Sequence, residues 1–395
     1  MIGVVFLTKQ NNLLVFILTI GVFGILNTEM GVIGILPDIA DHFHISVSKA
    51  GWLVSFFALV VAVSGPTMPL LFSGINRKKV MLLVLGVFVL GNIVSIFTSN
   101  FTILLIARMI PAFFHPIYCS LAFSVAAASV RKEDAAKAVS KVFIGVSAGM
   151  VVGVPVTSFI ASVVSLQMAL GFFAVVNAIA FIATLLFVPS MPVEERLSSG
   201  AQLSVLKKSI TWLSIVTVIL LNSAVFGVFS YLADYLKTVT NMSSNSISLL
   251  LFVYGAANII GNIAAGKLLT KNANKSVLSY PFVLGAVYIL LFFTGQFTVP
   301  MAIITLIWGI LAGIGGNITQ YWIMSAAPEV PDFANGLFLT SANLGTTLGA
   351  AVGGLIISDM GTQYVVLVGI LSLLLGLVTI ILRNYMYSPA KQLST

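Results

Sequence analysis

Long apolar runs alternate with short polar interruptions along the chain, and the length of the runs decides what they are. A helix needs about 20 mostly apolar residues to cross the hydrocarbon of a bilayer. Twelve such runs can be marked, at 13–36, 48–73, 79–98, 101–127, 137–162, 167–189, 211–237, 246–269, 277–296, 299–327, 334–358 and 363–386. The pattern predicts an all-α membrane protein with twelve transmembrane helices. The first run continues into Pro37 and Asp38 with no small-residue cleavage site, so it reads as a retained helix and not a signal peptide. The longest polar stretch, 190–210, falls near mid-chain. It divides the sequence into an amino-terminal six-helix bundle (1–189), a cytoplasmic linker (190–210) and a carboxy-terminal six-helix bundle (211–395).

Internal repetition supports two pseudo-symmetric halves. The loop after the second run, PLLFSGINRKK from Pro69 to Lys79, has a counterpart half a chain later in GKLLTKNANKS from Gly266 to Ser276. The fifth run carries Gly145, Gly149 and Gly153, and the eleventh carries Gly345, Gly349 and Gly353. Glycines four apart share one helix face and let a neighbouring backbone approach. Tight packing explains each stripe alone, while the paired occurrence also suits smooth faces along which the two bundles rock. Pro155 removes a backbone donor and kinks the fifth helix. Parallel repeats related about the membrane normal are an arrangement met in transporters.

Composition agrees: 59% of the 395 residues are hydrophobic and 8% charged, where a soluble domain carries about 25% charged residues. With both termini cytoplasmic, all of the 19 lysines and arginines except Lys49, Lys237 and Arg108 fall on the cytoplasmic side or at its edge, as the positive-inside rule requires. Topology therefore accounts for the net charge of +8 without a nucleic-acid partner. Cys119 is the single cysteine, which leaves no intrachain disulfide and no cysteine-based metal site. His42 and His44 in an outer loop have no further ligands at metal spacing, so no metal or other cofactor is expected.

Most acids, namely Asp38, Asp41, Glu133, Asp134, Glu194, Glu195, Glu329, Asp332 and Asp359, sit in loops or at span ends and read as solvated surface. Glu29, Arg108 and Asp234 do not. Glu29 lies seven residues before the outer end of its run and Arg108 seven residues after the start of the oppositely directed fourth run, so each sits about 10 Å inside the boundary. A charge at such depth costs about 2.5–3.5 kcal/mol on insertion scales and commonly marks an ion or substrate route. Equal depth allows a static Glu29–Arg108 pair, or a carboxylate whose proton affinity is set by burial against a nearby cation. His115, one heptad below Arg108 on roughly the same face, can relay protons, bind substrate or sit as a neutral hydrogen-bonded side chain. Asp234 lies about 5 Å from the outer end of the seventh run, beside Tyr231, Tyr235 and Lys237, and reads as a rim or gate residue or as a second protonation site. Asn27, Asn222, Asn258, Asn262, Asn317, Gln320 and Asn343, with Tyr254, Tyr321 and Trp322, are the candidate cavity groups. Amides that bridge helices are their ordinary explanation.

These residues carry a resemblance to the major facilitator superfamily, and within it to the twelve-span drug, sugar and nucleoside proton-antiporter branch. TEMGVIGILPDIA, Thr28 to Ala40, is similar to the first-helix signature of that branch; the spaced glycines before Pro155 resemble its antiporter motif, with Thr157 where a glycine is frequent. Arg108 in ARMIPAFFHP matches the fourth-helix arginine, and Gly261, Gly266 and Lys267 in GNIAAGKLL match the second-half loop signature. The first-half loop departs from the pattern: Pro69, Ser73, Gly74 and Asn76 replace its glycine and acid, and only Arg77 and Lys78 keep its basic run. The tryptophan–arginine pair after the fifth helix is replaced by Leu166 and Gln167, and proline is common in relatives where Asp234 stands.

The resemblance implies alternating access by two bundles around a central cavity, with a small organic molecule exported against protons. Glu29 would carry or gate the proton, Arg108 tune it and His115 assist, in a monomer of a bacterial plasma membrane powered by the proton gradient alone. Proton-coupled uptake and facilitated diffusion are the near alternatives. A nucleotide-driven pump is excluded by the lack of a phosphate-binding loop signature. A membrane enzyme would need a nucleophile constellation that is absent, and a solute sensor would need a longer tail than the one after Tyr387.

Overall fold

The computed structural model describes residues 2–45, 47–193 and 199–387. Glu194, Glu195, Arg196 and Lys391 lie outside them, as does most of the polar linker core. The described residues form helices joined by short turns. Contacts divide the chain into two units, Met1–Ser199 and Gly200–Thr395.

The first unit is built on α1 (Ile2–Gly31), α2 (Trp52–Ser64), α3 (Arg77–Phe97), α4 (Phe101–Ala128), α5 (Ala135–Val163) and α6 (Leu166–Phe187). The second has α7 (Ser209–Phe229), a continuous Ser244–Thr294 segment, α10 (Thr298–Met324), α11 (Pro331–Met360) and α12 (Val366–Met386). Asn272, at φ −162° and ψ 92°, interrupts the long segment, so it is two helices, α8 (244–271) and α9 (273–294). Among the described residues ten helices are long and apolar enough to span a bilayer, one of them this 49-residue pair, and Trp52–Ser64 is a shorter apolar helix. The sum is the expected twelve-helix fold.

Helix starts follow the sequence closely. Asn76 caps α3 by accepting from the Lys78 and Lys79 amides at 3.0 and 3.4 Å, and Asn100 caps α4 by accepting from Thr102 and Ile103 at 2.8 and 3.3 Å. Such side chains satisfy donors that the first turn leaves free. The second run, expected as one helix over 48–73, is instead broken into Val47–Ala50, α2 and Met68–Phe72. Gly65 and Pro66 explain the second break: proline supplies no amide, and the hydroxyls of Ser64 and Thr67 bond back to Val61 and Val63 carbonyls. The first run also changes character, since α1 ends at Gly31, tightens to a 3-10 turn over Val32–Ile35 and resumes as Leu36–His42 with Pro37 in its first turn. In the second half, α7 ends at Phe229 and resumes as Leu232–Thr238.

Packing repeats between the halves. In each, the first helix lies along the fifth, α1 on α5 and α7 on α11, and the third lies along the sixth, α3 on α6 and α9 on α12. The glycine stripes make the first contact. A Cβ at Gly145 would lie 2.4 Å from the Thr19 carbonyl oxygen of α1, and one at Gly345 would lie 2.4 Å from the Ile219 carbonyl oxygen of α7. Gly149 and Gly153 meet Leu26 and Asn27, while Gly349 and Gly353 meet Ser223 and Gly227. Both stripes are thus occupied inside their own bundle. This is the tight packing that glycines four apart allow. Pro155 stands within α5 as an internal helix proline. Gly261 of α8 is likewise closed by a neighbour in its own half, with the Ile310 carbonyl oxygen of α10 only 2.0 Å from where its Cβ would be.

Around the break in α1, Val32, Ile35, Ile39, Leu53, Leu104 and Phe173 form an apolar core. Large exposed apolar side chains, among them Phe97, Phe159, Leu186, Phe293 and Leu355, cover outward helix faces, as expected of surfaces that lipid covers. The chain is a multi-pass membrane protein.

Candidate functional site

The densest polar chemistry of the first unit gathers where α1 is about to tighten. Thr28, 3% exposed, is its hub. Its hydroxyl donates to the Gly24 carbonyl at 3.0 Å and accepts the amides of Asn92 from α3 at 3.2 Å and Asn177 from α6 at 2.8 Å. Its carbonyl accepts Nη2 of Arg108 from α4 at 2.8 Å. Asn177 further donates to the carbonyls of Gly24 and Phe173 at 3.1 and 2.9 Å. Four helices therefore meet on one residue. Bonds of this kind between membrane helices contribute about 0.6–2 kcal/mol each, and the C-terminal turn of a helix favours a cation such as Arg108.

Glu29 points elsewhere. Its Oε2 lies 3.1 Å from Nε2 of His115, the two side chains being 11% and 5% exposed. The contact has ion-pair distance but lacks hydrogen-bond alignment, since Oε2 makes no such bond. Cys119 Sγ is 3.7 Å from the same imidazole nitrogen. Phe57 of α2 packs against both side chains, with its ring centroid 5.8 Å from the Arg108 guanidinium and 6.1 Å from the His115 ring. Equal depth brings Arg108 near enough for its charge to act on Glu29, but the close contact of Glu29 is with His115 and the hydrogen bond of Arg108 is with Thr28. Arg108 is not among the ion pairs of Glu29, because rise along a helix fixes depth and says nothing of rotation, and the carbonyl of Thr28 takes the guanidinium first. Arg108 is 2% exposed and its Nε and Nη1 have no hydrogen-bond partner.

The remaining candidates separate into two groups. Asn27 is fully buried with neither amide atom bonded, wedged against Gly153 of α5. Asn317 donates to Asn262 at 2.8 Å and to the Gly313 carbonyl at 3.0 Å, and Asn262 reaches Asn258 at 3.4 Å, so these three bridge α8 and α10. Gln320 donates to Asn335 at 2.8 Å. Trp322 lies buried under the Arg383 guanidinium at 3.8 Å from its ring centroid, and Arg383 also donates to the Trp322 carbonyl and to Ser325, both at 2.8 Å. Asn27, Asn317, Gln320 and Trp322 are therefore packed interior of their own unit and not open lining. Asn222 and Asn343 are half-buried, and each donates only to the carbonyl four residues earlier, at 2.9 and 2.8 Å, among the bonds described for it. Tyr321 is half-buried, and Tyr254 is stacked on Phe229 at 4.5 Å and meets Trp308 edge-on at 5.4 Å.

Asp234 is exposed on the short helix beyond α7, where its Oδ2 accepts from the Thr362 hydroxyl at 2.8 Å. That joins the α7 extension to the turn after α11. In the first-half loop, the Arg77 amide donates to the Met191 carbonyl at 3.0 Å, Lys78 Nζ to the Leu185 carbonyl at 2.9 Å and the Asn76 amide to Ser190 at 2.8 Å. The shortened basic run therefore holds the end of α6. In the second-half copy, Gly266 offers its carbonyl to Thr270 at 2.7 Å and Lys267 is exposed.

Asn92, Asn177 and Thr28 as a hub were not expected from sequence. Asn92 and Asn177 carried a signal all the same, as single amides in otherwise apolar runs, GNIVS and VVNAI.

A twelve-helix membrane fold in two repeating halves, with a carboxylate, imidazole and guanidinium gathered inside the first, is an arrangement met in transporters. The sequence pattern of the Major Facilitator Superfamily matches residues 18–331 and 235–394, and the chain belongs to that superfamily. It is 32% identical over 367 residues to an uncharacterized MFS-type transporter, YtbD, of Bacillus subtilis (strain 168), covering 91% of this chain and 92% of that one. It is 26% identical over 358 residues to a probable sugar efflux transporter of Helicobacter pylori, covering 90% and 91%. In fold it is similar to the human organic anion transporter MFSD10 (TETRAN), with a TM-score of 0.79 at 15% identity over 94% of this chain and 99% of that chain. The protein is a small-solute transporter of the superfamily.

Proposed function

We propose that the chain exports a small polar organic compound in exchange for protons, as a monomer in a bacterial plasma membrane with both termini in the cytoplasm. This places it in the drug, sugar and nucleoside antiporter branch. The observation that carries the reading is the buried contact of Glu29 with His115. A carboxylate and an imidazole share one proton readily, and a buried ionisable pair in a membrane protein commonly marks a proton relay. Arg108, held one residue away from Glu29 on the chain, supplies a fixed positive charge to the same neighbourhood. The proton gradient is the energy source, and no resident cofactor is needed for the exchange.

The substrate class is drawn from two supports. The Helicobacter pylori relative is named as a probable sugar efflux transporter, and half-buried Asn222 and Asn343 suit a hydroxyl-bearing ligand, with Tyr321 able to stack on a flat face. Wild type and Glu29→Gln are reconstituted into liposomes, and substrate-induced pH change is recorded across sugars, nucleosides and polar drugs. Proton movement opposite to substrate in wild type, with substrate binding but no proton movement in the variant, is the expected result. Movement of both in the same direction makes the protein an importer, and normal coupling in the variant removes Glu29 from the mechanism.

A further inference from the structure

A guanidinium and an imidazole flank Glu29, and only the imidazole is within ion-pair distance of it. Arg108 is permanently charged and would hold a neighbouring carboxylate ionised at any physiological pH. His115 is the residue at 3.1 Å. A backbone bond holds the arginine back from the acid: its Nη2 is bound to the carbonyl of Thr28, the residue before Glu29, and Thr28 is itself fixed by amides from α3 and α6. We propose that Thr28 is a positioning residue that, with Asn92 and Asn177, holds Arg108 on the α1 backbone so that Glu29 keeps a titratable partner. The inference rests on Glu29 being the proton carrier.

The groups around the acid limit what else could set its behaviour. α4 brings Arg108, His115 and Cys119, α3 and α6 bring the neutral amides Asn92 and Asn177 to the adjacent Thr28, and α2 brings Phe57. α5 brings Gly153 and the hydroxyls of Thr157 and Ser158 against the same part of α1. Arg108 is the one permanent charge in this set. Its unbonded Nε and Nη1 show that the Thr28 carbonyl is its single hydrogen-bond restraint among the described residues. If α1 loosens at Thr28, the guanidinium is free to turn to the nearest carboxylate. Replacing the hydroxyl by a methyl leaves the Asn92 amide without its acceptor and removes one of three from Asn177.

The test reads Glu29 directly and needs no substrate. In the full-length protein in liposomes, the infrared C=O band of the protonated carboxyl that disappears in Glu29→Gln is titrated against pH. Thr28→Val is expected to lower the midpoint by about one pH unit or more, the effect of an arginine reaching a carboxylate. Thr28→Ser, which keeps the hydroxyl, is expected to titrate like wild type. In an Arg108→Met background Thr28→Val is expected to change nothing, because there is no guanidinium to release. If Thr28→Val does not fold, Asn92→Leu loosens the same hub and is expected to shift the midpoint in the same direction. An unchanged midpoint, or an equal shift with and without Arg108, overturns the proposal. If wild-type liposomes move no protons while the titration behaves as expected, the antiport reading fails and the positioning role stands.

Discussion

Alanine at Gly145 tests what the glycine stripes are for. The added Cβ would sit 2.4 Å from the Thr19 carbonyl oxygen, about 1 Å inside an ordinary contact, and the obstacle is backbone, which cannot swing aside as a side chain does. α5 must retreat from α1 or distort. Overpacking of a filled interior typically costs about 1–3 kcal/mol, and for a unit of this size each kcal/mol is worth roughly 2–4 °C in melting temperature. Gly345→Ala places its Cβ 2.4 Å from the Ile219 carbonyl oxygen and is expected to cost a similar amount. The two sites share no partner, so the double variant should lose about the sum of the two. Thermal unfolding of purified protein in detergent gives the losses, and cysteine accessibility from either side of the membrane gives the conformational balance. If both alanines leave the melting temperature unchanged and shift only the accessibility, the stripes are sliding faces after all and the reasoning from backbone contact is refuted.

Two further outcomes follow from charges away from the lipid and at its edge. Lys208 pairs with Glu329 across the start of α7 and the turn after α10; burial disfavours the charged Glu329 carboxylate, but hydrogen bonds from Lys208 and the backbone, together with the Lys208 charge, outweigh it and hold the group below its ordinary value. A depressed carboxylate stabilises the fold fully above its unfolded value, about 4.3, and loses that contribution as pH falls through the lower folded value. The melting difference between wild type and Glu329→Gln should therefore be constant from pH 6 to 8, small because the pair is exposed, and should vanish in acid; a difference that grows in acid contradicts the assignment. Arg383→Lys removes the planar donor pair to the Trp322 carbonyl and Ser325 and the stacking on Trp322, with an expected loss of about 1.5–3 kcal/mol by chemical or thermal unfolding. A lysine variant as stable as wild type shows that these contacts are dispensable.

The twelve-helix architecture was legible because a span is a property of local composition, and the repeated glycines exposed the two halves. The breaks were harder to read. Pro66 announced one, but the 3-10 turn over Val32–Ile35 lies in an unbroken apolar run with nothing polar to mark it. At the site, the ionisable residues stand out along the chain, but which of them touch does not. Glu29 and Arg108 were matched by depth, whereas partner choice depends on how α1 and α4 are rotated, which only packing against α2, α3 and α6 fixes. The amides show the same limit: nothing local separates Asn343, half-buried, from Asn317, which bridges two helices.

The knot at Thr28 also constrains the order of synthesis. α1 leaves the ribosome carrying Asn27, Thr28 and Glu29, but the side chains that meet Thr28 and Glu29 are encoded much later, with Asn177 following Thr28 by 149 residues. At roughly 5–20 residues per second, α1 waits about 7–30 s before its last partner exists. During that time a carboxylate and an amide have only lipid, water or the insertion machinery for company. The first helix of this transporter is therefore the one most in need of a chaperoning surface during insertion, and the one whose escape into lipid would be hardest to reverse.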